Sequence, residues 1–93
     1  MKITPDIIRY EFIGVEGEVA KSSHKDYVKV GGKVIGETRN TFIFQNGSRR
    51  RSVIKESAVF NFKFNDGSIV QIDGKLLVGR PEDRLKKNIK RLW

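Results

Sequence analysis

Turn-forming dipeptides recur through the middle of this chain, where the apolar period is that of strands rather than helices. Gly31-Gly32, Asn46-Gly47 and Asp66-Gly67 each supply positive φ at low steric cost, as tight hairpins require. Around them the apolar residues follow a period of two, over residues 15–20, 27–30, 34–38, 41–45, 52–54, 58–64 and 68–72. In Ala58-Val59-Phe60-Asn61-Phe62-Lys63-Phe64 the three phenylalanines share one face, so this strand is expected at the centre of the core. Thr41 to Phe44 lacks clean alternation: Phe42 and Phe44 share a face that is expected to pack inside, while Thr41 and Ile43 lie on the other, which is expected to meet a terminal helix or a partner. Only Arg39 and Asn40 separate two of the strands. That is a two-residue hairpin in which Asn40 tolerates the left-handed conformation and Arg39 stands at an exposed tip. Several short strands joined by such turns predict an all-β chain, a small antiparallel barrel or sandwich.

Helical signals are confined to the two ends. Thr4 can cap a helix with Pro5 in its first position and Asp6 near the positive end of its dipole. Ile3 and Ile8 sit at staple positions, and Ile8 with Phe12 continues an apolar stripe up to Gly14. Pro81-Glu82-Asp83 opens a second helix. Leu85, Ile89, Leu92 and Trp93 form its apolar stripe, and Arg84, Lys86, Lys87, Lys90 and Arg91 are expected to face outward.

A chain of 93 residues holds one small core, so residues 1–93 are expected to form a single domain. The absence of cysteine removes disulfides and thiolate metal sites, and the single histidine, His24, lies in a polar loop-like stretch. Carboxylates mostly sit beside Lys or Arg, as in Asp83-Arg84 and Lys55-Glu56, which suits solvated charge pairs better than a general acid and base. Gly74-Lys75-Leu76-Leu77-Val78-Gly79-Arg80 lacks the spacing of a phosphate loop. No catalytic residue and no metal ligand is assigned. No apolar run reaches the length of a membrane span and no signal peptide is evident, so a soluble, cytoplasmic protein without a membrane partner is expected.

Charge is what remains. Lys and Arg number 19 against 11 Asp and Glu, a net +8. Residues 1–48 carry 7 basic and 6 acidic side chains, whereas residues 49–93 carry 12 and 5, so nearly all the excess lies in the second half. Such a field attracts polyanions. Arg49-Arg50-Arg51 follows the Asn46-Gly47 turn, where guanidinium groups can clamp phosphates or stack on unpaired bases. Basic composition alone does not choose among nucleic acid, an acidic membrane and an acidic protein partner, and Arg49-Arg50-Arg51 can also be a solvated charged turn. By residue type and spacing, the expectation is a small β-barrel that binds nucleic acid.

Several segments make a more specific statement. Ile3-Thr4-Pro5-Asp6-Ile7-Ile8, Glu11-Phe12-Ile13-Gly14, Gly36-Glu37-Thr38-Arg39-Asn40-Thr41, Ala58-Val59-Phe60 and the run from Asp73 through Leu76-Leu77-Val78-Gly79-Arg80-Pro81-Glu82-Asp83-Arg84 to Lys87 resemble archaeal ribonuclease P protein component 1, of the Pop4 family. The segments fall in family order and span nearly the whole chain. Tyr10 departs from the family's frequent His, and the stretch 44–52 matches no family motif. The resemblance implies a Sm-like or SH3-like barrel of about six strands with short terminal helices. It also implies a non-catalytic subunit of the ribonucleoprotein that removes the 5′ leader of precursor tRNA, in which the RNA is the catalyst and uses magnesium. Expected partners are ribonuclease P RNA, precursor tRNA indirectly, a zinc-ribbon subunit forming a heterodimer, and other ribonuclease P proteins.

The RNA surface is then expected to include Arg39, Asn40, Arg49, Arg50, Arg51, Lys55, Arg80, Arg84, Lys86, Lys87, Lys90 and Arg91. A partner surface is expected at Ile7, Ile8, Glu11, Phe12, Val34, Gly36 and Thr38; the alternative is that the N-terminal helix plugs one end of the barrel. A second functional reading is a Sm-like module forming a homo-oligomeric ring through open strand edges.

Overall fold

The computed structural model describes residues 5–84, with side chains described from residue 7. Six strands carry the fold: β1 (Glu16–Ser22), β2 (Gly31–Glu37), β3 (Thr41–Asn46), β4 (Arg49–Ile54), β5 (Ala58–Lys63) and β6 (Ile69–Asp73). They form one antiparallel sheet in the order β4-β3-β2-β1-β5-β6. Short 3₁₀ turns occupy Pro5–Arg9, Lys25–Tyr27, Lys55–Ser57 and Gly74–Leu77, and a helix, α1, begins at Pro81–Arg84. The C-terminal stripe Leu85, Ile89, Leu92, Trp93 and the cations Lys86, Lys87, Lys90 and Arg91 lie outside the described residues, as do the cap Thr4 and the staple residue Ile3.

The sheet curls onto itself. Strands β3 and β5 are three places apart in the order, about 14 Å if the sheet were flat. Yet the Phe42 and Phe60 rings meet edge to face with centroids 5.4 Å apart. Register shifts between Val19 and Lys21 and between Val34 and Gly36 bend the strands that make this curl. Gly17 lies beneath the rings: a Cβ there would come within 2.8 Å of Phe62 and 3.2 Å of Phe44. Among the described strands β4 and β6 do not pair with each other, so the barrel is open.

Alternation explains the core. Phe42, Phe44, Phe60, Phe62, Val53, Val70 and Ile72 point inward and are buried, while Asn61, Lys63, Gln71 and Ile69 point out. The N-terminal segment closes one end. Gly14 N–H donates to Val34 C=O (2.7 Å) and Val34 N–H to Val15 C=O (2.9 Å), and the Phe12 ring reaches Phe62 at 4.5 Å. Ile7, Ile8, Phe12 and Val34, expected at a partner surface, are instead buried in the chain's own core. Apolar side chains that can fill the mouth of a small barrel are drawn in by the area they remove from water, so the segment acts as the plug.

Two local expectations are corrected. Residues 27–30 are a turn, not a strand: Val30 N–H donates to Tyr27 C=O (3.0 Å), Val28 has φ −60° and ψ 131°, and Lys29 has φ 72°. Gly31 and Gly32 are not a hairpin turn but paired residues of β2, opposite Glu18 and Gly17. Their value is close approach, since a Cβ on Gly32 would lie 2.2 Å from Gln45 C=O. The tip at Arg39 and Asn40 has two residues, as expected, closed by Thr38 N–H to Thr41 C=O (2.9 Å), but neither residue takes positive φ.

Candidate nucleic-acid interface

The described basic residues of the second half divide into two sets, buried and exposed. Lys55 and Arg84 are fully buried. They converge on Glu37, whose carboxylate is 1% exposed. Lys55 Nζ donates to Glu37 Oε2 (2.6 Å) and to the carbonyls of Thr38 (2.8 Å), Gly79 (2.9 Å) and Arg39 (3.3 Å). Arg84 Nε donates to Ile8 C=O (2.6 Å), Nη1 to Gly79 (2.7 Å) and Leu77 (3.0 Å) carbonyls and to Glu37, and Nη2 to Tyr10 C=O (2.9 Å). One carboxylate and six backbone carbonyls thus satisfy two cations away from water, which is the condition under which buried charge persists. The Lys55 ammonium also lies 4.7 Å from the centre of the Phe42 ring.

This hub corrects two expectations. Lys55 and Arg84, expected among the RNA-contacting cations, are both spent inside, tying residues 8–10, the β2–β3 hairpin and residues 77–79 to one another. Lys55 shares the inward parity of Val53 two residues earlier, a signal already present in the sequence. Glu37 has no such parity. Strict alternation from buried Val34 would turn it outward; the register shift before Gly36 turns it inward, opposite Phe42. Gly36, an isolated glycine inside the strand run, is the local mark of such a bulge.

The exposed set is distributed over the rim. Arg39, Asn40 and Arg80 surround the hub on its outer side, where Gly79 N–H donates to Arg39 C=O (2.7 Å) and fixes the two segments together. Thr38 and Thr41 close the hairpin beneath Arg39 through hydroxyls 2.6 Å apart. Glu11 and Thr38 are exposed and Gly36 is half-buried.

At the other end of β4, Arg49, Arg50 and Arg51 are all exposed. The turn before them has Gly47 first, at φ 62°, followed by Ser48, and Asn46 pairs with Arg49. Register places Arg50 beside Gln45, and Gln45 beside Lys33, on the convex face. Arg51 pairs with buried Phe44 and so shares the concave side with Arg49; its Nη2 donates to Asp26 C=O (3.2 Å) across the mouth of the open barrel. The arginines therefore present cations to both faces of an edge strand, an arrangement able to hold several phosphates of a folded polyanion.

The family model for ribonuclease P/MRP subunit p29 matches residues 5–87. Ribonuclease P protein component 1 of Methanococcus vannielii is 42% identical over 97 residues, spanning 100% of this chain and 98% of that protein. The protein of the same name from Methanocaldococcus jannaschii is 46% identical over 93 residues, spanning 98% and 97%. The solved structure of Mth11, described as a homologue of human RNase P protein Rpp29, superposes with a TM-score of 0.61 at 42% identity, covering 81% of this chain and 97% of that one. A match that begins in the N-terminal plug and runs through all six strands, the hub and α1 leaves one conclusion: this chain belongs to the ribonuclease P/MRP subunit p29 family.

Proposed function

We propose that this chain is a non-catalytic protein subunit of ribonuclease P that binds the catalytic RNA and stabilises its folded form. The observation that carries the reading is family membership over nearly the whole chain, joined to a rim of exposed arginines. Arg39, Asn40, Arg49, Arg50, Arg51 and Arg80 are the described residues that would neutralise phosphate, releasing counterions as the RNA compacts. Cleavage of the 5′ leader belongs to the RNA with its magnesium. Nothing in the hub is available for that chemistry, because its carboxylate and both cations are occupied and dry.

The partner reading moves to a different surface. With Ile7, Ile8, Phe12 and Val34 buried, what remains outside is Tyr10 (51% exposed) and Ile13 (48%), flanking Glu11. Glu11 and Ile13 share a shallow depression with Arg80, Pro81 and Glu82. That mixed apolar and acidic strip is where the zinc-ribbon subunit would dock. Pairing of β4 with the same strand of a second copy is disfavoured because that exposed edge carries three arginines, which repel one another across a two-fold axis.

Capture of the protein from cell extract followed by sequencing of the bound RNA tests the function. Ribonuclease P RNA should be enriched, and the purified protein with magnesium should leave precursor tRNA intact. Leader removal by the protein alone, or a pellet without that RNA, would overturn the reading.

A further inference from the structure

The strain at Lys29 and the open mouth beside β4 belong to one place. Asp26, Val28, Lys29, Phe44, Arg49 and Arg51 line a depression of about 220 Å³ between the 26–30 segment and the concave side of β4. Lys29 is the third residue of a type II turn, at φ 72°. That position favours glycine or asparagine, and a long side chain there is held against the intrinsic preference of its backbone. Among the described residues neither Lys29 nor Arg49 has a side-chain hydrogen bond or ion pair. Arg51 Nη2 donates to Asp26 C=O (3.2 Å), which draws its planar guanidinium to the wall. Val28, 44% exposed, adds an apolar side chain to the same lining. Three cations outnumber the one carboxylate lining the site, Asp26.

A concave seat with a guanidinium at its wall, an apolar side chain and two cations that pair with none of the described residues is poorly matched to the convex phosphate array of a duplex. It matches one unstacked nucleotide, whose base needs a flat or apolar surface and whose phosphates need cations. We infer that this depression seats a single unpaired nucleotide of the RNA partner, the base against Val28 and Arg51 and the phosphodiester on Lys29 and Arg49. The inference rests on the RNA-binding reading above and adds where, and in what form, the RNA is held.

Lys29→Gly tests it, since glycine relieves the turn while removing the cation. The probes are a fluorescein-labelled single-stranded oligouridylate of about eight nucleotides and an RNA duplex of equal length. Lys29→Gly should melt at or above the wild-type temperature and bind the single strand about 5- to 10-fold more weakly, the effect of one good contact, with duplex affinity changed less than about twofold. Arg51→Ala should show the same asymmetry. Unchanged single-strand affinity would make Lys29 a strained turn residue only, and an equal loss for both probes would reduce it to general charge attraction. Either result sinks the seat while leaving the subunit reading intact, provided binding to ribonuclease P RNA persists. An equal Lys29-dependent loss with a polyglutamate peptide would assign the depression to an acidic protein instead. Failure of the wild-type protein to bind any RNA would overturn both.

Discussion

Within seven residues, β4 and the turn after it put the same kind of side chain to opposite uses. Arg49, Arg50 and Arg51 stand in solvent at the hairpin end, and Lys55 is wholly enclosed at the other, hydrogen-bonded beside Arg84 around one carboxylate. The chain's positive excess is therefore not a single property. At the hub, low dielectric makes each charge depend on its partner, so loss of one leaves the others stranded. At the rim, water screens each arginine and no buried charge depends on it, so the residues can exchange solvent for phosphate. Perturbing the two regions should separate stability from binding.

The largest effect is expected from Glu37→Ala, which leaves Lys55 and Arg84 buried against each other with only carbonyls as acceptors. Unfolding in urea should show a loss of about 3–5 kcal/mol. A loss below about 1 kcal/mol, the size of an exposed pair, would mean that the hub is solvated and the contrast false.

Ile8→Ala should follow, at about 2–4 kcal/mol, because Ile8 is 1% exposed and its removal opens a cavity under the plug. Binding of the partner subunit by the protein that remains folded should be unchanged. Weakened heterodimer affinity with an unmoved melting temperature would return Ile8 to an interface.

Replacement of Arg39 by Ala touches only the rim, above the hub. Its carbonyl, not its side chain, serves Lys55 and Gly79 N–H, so stability should shift by less than about 0.5 kcal/mol. RNA affinity should fall only severalfold, about one phosphate contact, in a filter-binding titration at fixed salt. A melting temperature lowered as far as in the hub variants would show that the tip is structural.

Much of the fold is legible in the sequence because alternation and turn chemistry are local. The phenylalanines of β3 and β5, the tip at Arg39 and Asn40 and the strand-dominated centre follow from neighbouring residues alone. What escapes depends on distant registration. Glu37 turns inward only because of the bulge before Gly36. The short run at 27–30, apolar at Val28 and Val30, reads as a strand until Lys29's positive φ is known. Arg84 reads as an outward cation because its acceptors at Ile8 and Tyr10 lie more than seventy positions away, |i−j| of 76 and 74. The site is legible in its chemistry but not in its membership: a cation's residue type does not say whether water or a carboxylate waits for it.

The central claim, that position rather than charge decides which cations meet RNA, is tested most directly by the salt dependence of binding to ribonuclease P RNA. Three proteins suffice: the wild type, the Arg49→Ala, Arg50→Ala, Arg51→Ala variant, and Lys55→Met, each assayed well below its melting temperature. The plot of log K against log salt should flatten by about 2 to 3 for the triple variant, roughly 0.7 to 0.9 for each phosphate no longer neutralised, with little change in melting temperature. Lys55→Met should melt far earlier and keep the wild-type slope. An unchanged slope in the triple variant, or a slope in Lys55→Met flattened by the amount expected for one phosphate, would contradict the account.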